Sequence, residues 1–228
     1  MTVCKQLNMN RTITSCFLAI LFNLNNTQLA HGEFTVEDFN SAYSEFQVTG
    51  DGFHREMRMS SSFLPSSLLG CSVLIKWRIP SGIYVDPYQL QASVMNKTVR
   101  FSSHVNIEQM AHHAEPLTLH SLPHLQCGSS CSFSQSIQFH LRYHLPSSIN
   151  DYTAASLSSP STYFSCDCAS IDLTAVHKCV WQSLPEHVQI QQVLVPIGSL
   201  SHSPLVTIVT IAISFIGIAS VAWSSAVE

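Results

Sequence analysis

The sequence predicts a mainly β domain, an antiparallel and sandwich-like fold, followed by a single C-terminal transmembrane helix. Two runs in the body alternate apolar and polar residues with a period of two, as half-buried strands of antiparallel sheets do. A stretch near the C-terminus is uncharged, apolar and long enough to cross a bilayer. Only 11% of the 228 residues are charged and 46% are hydrophobic, a balance typical of a membrane-attached protein.

The N-terminal segment has the features of a secretory signal peptide. Lys5 and Arg11 precede an apolar core at 13–24, which is about a dozen residues long and too short to span a bilayer. We expect the signal peptide to occupy residues 1–30, with the cut between positions 25 and 32, because Ala30 is small but Gln28 is not. A buried N-terminal helix or strand is the alternative interpretation.

Residues 33–203 are expected to form the β-rich, lumen-facing domain. The runs "VLIKWRI" (73–79) and "IQFHLRYH" (137–144) are its clearest strands, and segments 53–59, 99–105, 117–119 and 188–195 are weaker candidates. The apolar faces expected in the core consist of Val73, Ile75, Trp77, Ile79, Ile137, Phe139, Leu141 and Tyr143. The opposite face of the second run carries His140, Arg142 and His144, which we expect at the surface. The serine-rich stretch 146–165 is expected to be a mobile loop, and no amphipathic helix is predicted in the body.

The cysteines indicate an oxidising compartment. Of eight cysteines, Cys4 and Cys16 lie in the expected signal peptide. The remaining six, for which we expect disulfide bonds of undetermined pairing, are Cys71, Cys127, Cys131, Cys166, Cys168 and Cys179. A zinc site is the alternative, but "CDC" is a poor half-site, so we expect no metal. The triplet Asn96-Lys97-Thr98 is a glycosylation sequon and predicts a glycan on Asn96.

The apolar stretch 205–223 predicts the transmembrane helix, since as a helix it is about 28 Å long, close to the hydrocarbon thickness. Residues 224–228 would then form a short cytoplasmic tail, although a GPI-attachment signal is the alternative. Small and hydroxyl residues, Thr207, Thr210, Ser214 and Gly217, fall within an arc of roughly 80° on this helix. Such a stripe favours close packing against another helix, although these residues are also common in spans that pack against nothing.

Catalytic motifs are not found in the sequence. There is no Gly-x-Ser-x-Gly elbow, phosphate loop or His-Glu-x-x-His pair. The run "FHRE" at 53–56 fits a solvated strand face, and Asp86 before Pro87 fits a turn cap better than a general base. A net charge of −4 gives no electrostatic support for nucleic-acid binding. We therefore expect neither catalytic residues nor a cofactor.

The segment "CSVLIKWRIPSGIYVDPYQL" (71–90) resembles the most characteristic stretch of the PIG-X/Pbn family. Similar matches follow the family order in "GFHREM" (52–57), "HLRYHLPS" (140–147) and "VLVPIG" (193–198). The resemblance implies an endoplasmic reticulum (ER) membrane protein of type I, a non-catalytic subunit of GPI mannosyltransferase I. Its implied partner is PIG-M, the multi-spanning catalytic subunit, which transfers the first mannose from dolichol-phosphate mannose to glucosaminyl-phosphatidylinositol.

The prolines near 80–87 make this loop stiff, and a stiff loop bearing aromatic side chains loses little entropy on docking. The candidate partner-binding residues are therefore Tyr84, Asp86, Pro87 and Tyr88, and the family motif adds Phe53, Arg55, Arg142 and Tyr143. Alternatively, Ile83, Tyr84 and Val85 fill the core of the domain itself. Two rival classes are a type I or GPI-anchored cell-surface binding protein with a disulfide-bonded β-sandwich, and a lumenal enzyme.

Overall fold

The computed structural model describes residues 39, 41–92, 98–168, 173–174, 176–185 and 188–227. All of them belong to one structural unit, Val36–Glu228. The expected signal peptide, the sequon residue Asn96 and the last residue of the expected tail lie outside the described residues. The glycan and the signal cut therefore stay predictions.

The described residues form antiparallel β-sheets and a long C-terminal helix, so the predicted fold class is confirmed. The elements are, in chain order, β1 (Tyr43–Thr49), β2 (His54–Leu64), β3 (Ser72–Ile79), β4 (Ile83–Tyr84), α1 (Pro87–Ala92), β5 (Val99–Phe101), β6 (Leu117–Ser121), β7 (Gln126–Cys127), β8 (Cys131–Leu141), β9 (Tyr152–Ser158), β10 (Ser161–Ser165), β11 (Gln182–Ser183), β12 (Ile190–Pro196) and α2 (Ser203–Val227). Short 3-10 turns occupy Ser66–Leu68, Val176–Lys178 and Leu200–His202.

The strands lie in three sheets. The first sheet has the order β1-β2-β8-β4, and β7 also pairs with β8. The second sheet has the order β11-β10-β3-β6-β5, and the third consists of β12 and β9. All of these pairs are antiparallel. The buried faces of these sheets supply the core, and parts of β3 and β10 are buried on both faces.

Strand β3 behaves as its alternation predicts. Val73, Ile75, Trp77 and Ile79 are all buried. The indole Nε1 of Trp77 donates a hydrogen bond of 2.8 Å to the Oγ of Ser121 on the neighbouring β6, so the one polar atom of this side chain is satisfied in the core.

The second predicted strand is longer and ends earlier than expected. Strand β8 begins at Cys131 and ends at Leu141, and alternation stops there because the backbone N–H of Arg142 bonds to the carbonyl of Gly82. The expected faces are therefore reversed at the next two positions. Arg142 is 4% exposed, whereas Tyr143, which we expected in the core, is 72% exposed.

The prediction of a loop at 146–165 is wrong, because this segment contains β9 and β10. Strand β10 lies between β11 and β3, and its Ser161, Thr162 and Ser165 are buried. Their side chains are small enough for a closely packed sheet. The Oγ of Ser161 also accepts a 2.7 Å hydrogen bond from the guanidinium of Arg78 on β3. Strand β1 was also not predicted, since its sequence is polar and weakly patterned.

The Pro-rich segment, expected to be non-helical, ends in the short helix α1. Pro87 occupies the first helical position, where the absence of an N–H costs nothing because that group has no partner within the helix. The Oδ1 of Asp86 accepts a 2.8 Å hydrogen bond from the N–H of Tyr88. Asp86 therefore has the turn-capping role that its position before proline predicts.

All six cysteines of the domain are paired, as expected for an oxidising compartment. The pairs are Cys71–Cys166, Cys127–Cys131 and Cys168–Cys179. The first disulfide flanks the pairing of Ser72 with Ser165, so it continues the ladder between β3 and β10.

Within the described residues, one helix is long and apolar enough to cross a membrane, and the span identified by length and hydropathy is Leu200–Ala226. None of its most apolar window is buried against the domain.

Candidate functional site

Three segments that are far apart in sequence meet at one end of the first sheet, where β2 begins and β8 ends. His54 of β2 pairs with His140 of β8, and Tyr84 of β4 pairs with the same His140 from the other side. We call this region the motif end. Its members are Phe53, Arg55, Tyr84, Asp86, Pro87, Tyr88, His140, Arg142 and Tyr143. Sequence reasoning named all of them except His140 as candidate partner-binding residues.

Arg142 organises the motif end from the inside. Its Nη1 donates hydrogen bonds to the carbonyls of Asn106, at 2.8 Å, and Gln109, at 2.6 Å. Burial lowers the pKa of the guanidinium, and the nearby Tyr84 opposes this shift. Because two loop carbonyls receive its charge-assisted bonds, Arg142 holds the 106–109 loop against β4 and is not available as a surface contact.

Tyr84 is half-buried, and its ring contacts the guanidinium of Arg142 and the imidazole of His140. The guanidinium carbon of Arg142 lies 4.8 Å from the centre of its ring, and His140 stacks on it with centroids 5.0 Å apart. Burial is the main cause that raises the pKa of Tyr84, Asp86 and Tyr143 add to it, and Arg142 lowers it. The phenol is thus neutral at physiological pH, and the stack fixes the ring in place.

The turn before β2 carries the second motif. Arg55 donates from Nε to the carbonyl of Gly52 at 3.1 Å and from Nη1 to the carbonyl of Gly50 at 3.0 Å, so it tightens this turn. The Phe53 ring lies 5.2 Å from the ring of Tyr143. Phe53 and Tyr143 therefore form an aromatic pair, of which Tyr143 is the exposed member.

Helix α1 completes the motif end. Tyr88 is exposed, and the following Gln89 bridges two strand residues, donating to the Oε1 of Gln138 at 2.8 Å and contacting the Nε2 of His140 at 3.0 Å. An open depression of about 320 Å³ lies beside them, lined by Thr49, Gly50, His54, Arg55, Glu56, Gln89, Gln138, Phe139 and His140. Sequence reasoning missed Gln89 and Gln138, since nothing in the sequence alone indicates that two glutamines pair.

Two histidines near this end have lowered pKa values. Burial is the main cause for His140, the neighbouring His54 adds to it, and Asp86 opposes it. Burial also lowers the pKa of His144, with His112 adding to the effect. Both imidazoles therefore favour the neutral form in the folded protein.

Gly82 permits the close approach of β4 to the rest of the domain. A Cβ at this position would lie 3.1 Å from the Nε2 of His144 and 3.4 Å from the Cβ of Ala155 on β9. The first distance is shorter than most Cβ contacts in proteins, so a larger residue at position 82 would require the imidazole of His144 to move by a few tenths of an ångström.

The fourth motif connects this end to the C-terminal helix. Residues 193–198 form the end of β12 and the turn that follows it. The N–H of Ser147 donates to the carbonyl of Gly198, and the N–H of Leu200 donates to the carbonyl of Ser147, both at 2.9 Å. Ser147 is four residues after Tyr143, so at most about 14 Å separates the motif end from the segment that leads into α2.

The predicted stripe of small and hydroxyl residues lies on α2. The hydroxyls of Thr207 and Ser214 bond to the carbonyls of Ser203 and Thr210, each at 2.8 Å. These hydroxyls are therefore satisfied within their own helix. A Cβ added to Gly217 would meet nothing within 4 Å, so the stripe presents a shallow, small-residue surface.

The fold and this site define a class: a disulfide-bonded antiparallel β domain, joined to one apolar helix, with an aromatic surface at the end nearest that helix. Among the residues that the structure describes, no group of three or more His, Cys, Asp or Glu could hold a metal ion. The profile of the PIG-X/PBN1 family matches residues 50–226, and the chain belongs to this family. The resemblance drawn from the four motifs is thereby confirmed.

Relatives with established names point to one kind of complex. A human protein named "GPI alpha-1,4-mannosyltransferase I, stabilizing subunit" is 30% identical over 197 residues, which cover 75% of this chain and 74% of the human one. The mouse protein of the same name is 29% identical over 190 residues, 73% of this chain and 74% of its own. Among solved structures, the major pilin subunit BcpA of Bacillus cereus aligns with a TM-score of 0.32 at 8% identity, over 68% of this chain and 40% of the pilin. That likeness is too low to inform the fold.

Proposed function

We propose that this protein is the stabilising, non-catalytic subunit of GPI mannosyltransferase I, and that it supports transfer of the first mannose to the GPI-anchor precursor. The family membership and the names of the human and mouse relatives support this function. The observation that carries it is the meeting of three family motifs at one end of the β domain, next to the helix. The rival cell-surface receptor is not favoured by these relatives.

We further propose a single-pass, type I orientation in the ER membrane. Residues 1–30 would be the signal peptide, 33–203 the lumenal domain, 205–223 the span and 224–228 the cytoplasmic tail. Three disulfides in the domain support an oxidising compartment such as the ER lumen. The length and apolar character of α2 support the span.

The partner in this proposal is a PIG-M-like catalytic subunit with several membrane spans. A protein that binds only the folded state of its partner stabilises that state, by about 2.7 kcal/mol when its free concentration is a hundredfold above Kd, and so lowers the population of the unfolded state. Degradation of the partner falls accordingly. The stabilising effect therefore needs no chemistry from this chain.

The contact residues divide into two groups. Tyr88 and Tyr143 are exposed at the motif end and are the side chains that a lumenal loop of the partner can reach. The remaining candidates at this end hold those two in position: Phe53, Arg55, Tyr84, Asp86, Pro87 and Arg142. On α2, Thr207, Thr210, Ser214 and Gly217 offer the surface for a partner helix, through close packing more than through hydrogen bonds.

Affinity isolation of the full-length protein from ER membranes tests the proposal. We expect a multi-spanning mannosyltransferase to be recovered with it, and cells that lack this chain to contain less of that enzyme and less mannosylated GPI precursor. Normal precursor synthesis in such cells would refute the function. Recovery of the protein at the plasma membrane with other partners would instead support a cell-surface receptor.

A further inference from the structure

A group of exposed apolar side chains surrounds the point where the β domain joins α2. Its members, which we call the apolar foot, are Leu145, Ile149, Tyr152 and Leu200. We propose that the apolar foot rests in the headgroup region of the lipid bilayer and sets the position of the β domain on the membrane surface. This inference rests on the span assigned to α2 in the proposed function, but not on the mannosyltransferase complex.

Backbone hydrogen bonds tie the loop after β8 to the segment that precedes the helix. Ser147 exchanges two bonds of 2.9 Å with Gly198 and Leu200, and Ser147 and Ser199 form a parallel bridge. The N–H of Ile197 also donates to the carbonyl of Asp151 at 2.9 Å. The loop is thus bound at both of its ends to residues that lie three to six positions before the helix starts at Ser203.

This tether places Ile149 near the membrane surface. The N–H groups of Ile149 and Asn150 both donate to the Oγ of Ser147 at 3.1 Å, which folds the loop tip into a tight turn. Two peptide units separate Ile149 from Ser147, so their Cα atoms are at most about 7 Å apart. Because Ser147 is bonded to Leu200, the tip lies at the level where the chain enters the bilayer.

The exposure and chemistry of the foot fit a lipid interface. Ile149 is 89% exposed, the highest value among the large hydrophobic residues of the described chain. Such side chains insert into the boundary between headgroups and acyl chains, and tyrosine is enriched at that depth. The loop 145–152 carries a single charge, Asp151, so little charge must be desolvated when its apolar side chains insert.

The far end of the first sheet provides a matched reference. Phe63 is also an exposed aromatic residue, but it lies near the pairing of Leu64 with Cys131, at the opposite end of β2 from the motif end. Ten residue steps along a strand cover about 30 Å. Phe63 should therefore stay in water if the foot is on the membrane.

Depth-dependent quenching of a fluorescent label tests the foot. Single cysteines replace Ile149, Phe63 or Leu205 in the full-length chain, with Cys4 and Cys16 changed to serine, and each is labelled with an NBD fluorophore. The proteins are reconstituted alone into phosphatidylcholine vesicles with and without lipids that carry a doxyl quencher high on the acyl chain. Leu205→Cys reports the span itself, and Phe63→Cys reports the aqueous control.

We expect the doxyl lipids to reduce the emission of the labels at 149 and 205 at least twofold and to leave the label at 63 unchanged. Quenching at 205 without quenching at 149 would overturn the foot while the span stands. The absence of quenching at 205 would overturn the span and the foot together. A label at 149 that becomes shielded only when the purified catalytic subunit is added would assign this surface to the protein partner and also overturn the inference.

Discussion

The guanidinium carbon of Arg142 lies 4.8 Å from the centre of the Tyr84 ring. This contact joins two family motifs that are more than fifty positions apart in the sequence. Because this contact is inside the domain, we expect it to stabilise the fold of this protein. The neighbouring Tyr143 is exposed and is the residue that a partner can contact.

Replacing Arg142 with lysine should destabilise the domain. A lysine lacks the planar guanidinium that contacts the Tyr84 ring while it donates to the carbonyls of Asn106 and Gln109. Net contributions of hydrogen bonds to charged groups are about 1.5–3 kcal/mol, and we expect a loss in the free energy of unfolding of that order. Denaturant unfolding of the full-length protein in detergent measures it. The exposed Arg58→Lys is the control, and equal effects of the two would contradict the internal role of Arg142.

Gly82→Ala should destabilise the protein by about 1–3 kcal/mol, since overpacking of a close contact has costs of this size. The added Cβ would press on the ring of His144 at 3.1 Å. Gly128→Ala is the matched control because a Cβ there meets nothing within 4 Å. Adding His144→Ala to Gly82→Ala should recover part of the loss. If the double variant is as unstable as the sum of the two single variants, the steric explanation fails.

Tyr143→Ala should weaken the association with the catalytic subunit and leave this protein folded. The side chain is exposed, and aromatic anchors in an interface commonly contribute more than 1 kcal/mol, so about tenfold weaker binding is expected. Co-purification at matched expression measures the association. Tyr43→Ala removes another exposed tyrosine, at the opposite end of the first sheet, and should have no effect. Equal recovery of the catalytic subunit with both variants would show that the motif end does not contact it.

Substitution with large side chains tests whether the small-residue stripe on α2 packs against a partner helix. The double variant Ser214→Leu with Gly217→Leu should reduce co-purification of the catalytic subunit, because leucine keeps a partner helix at a distance. The double variant Ala212→Leu with Ala219→Leu adds leucines to the opposite side of the same helix and should not reduce it. Unchanged recovery in the first variant would show that this stripe packs against nothing.

Stability should fall as the pH decreases below about 6.5. The pKa values of His140 and His144 are lowered in the folded protein, so the unfolded chain binds more protons in this range. Stability then rises with pH until the unfolded-state pKa near 6.5 is passed, and it is lost below that value. Thermal unfolding at pH 7.5 and 5.5 measures the change, and His140→Gln combined with His144→Gln should reduce it. An identical pH dependence in wild type and variant would exclude these histidines as its source.

Strict alternation made β3 predictable, and an uncharged apolar run made α2 predictable, because each signal lies entirely within the element. The same rule failed at Arg142 and Tyr143, where the chain leaves the sheet and no local feature of the sequence marks the end of the strand. It also missed β10, since serine and threonine carry no hydrophobic period although their small side chains are buried there.

The site was predictable as a set of residues but not as an arrangement. The family motifs named Tyr84, Arg142 and Tyr143 without indicating that the first two are packed together and the third is exposed. The cysteine pairs depend on strand register, which brings Cys71 and Cys166 together across 95 positions. Both properties are set by topology, and periodicity within one segment holds no information about it.

The last strand of the domain has a consequence for incomplete chains. Strand β12 is the sole sheet partner of β9 in the described structure, and its Val193 and Val195 are buried. In the sequence, β12 ends only a few residues before α2 begins. A premature stop codon just upstream of Ile190 would therefore yield a product that lacks α2 and also leaves the backbone of β9 unpaired, so a folded form of the domain without the helix should not arise from such an allele.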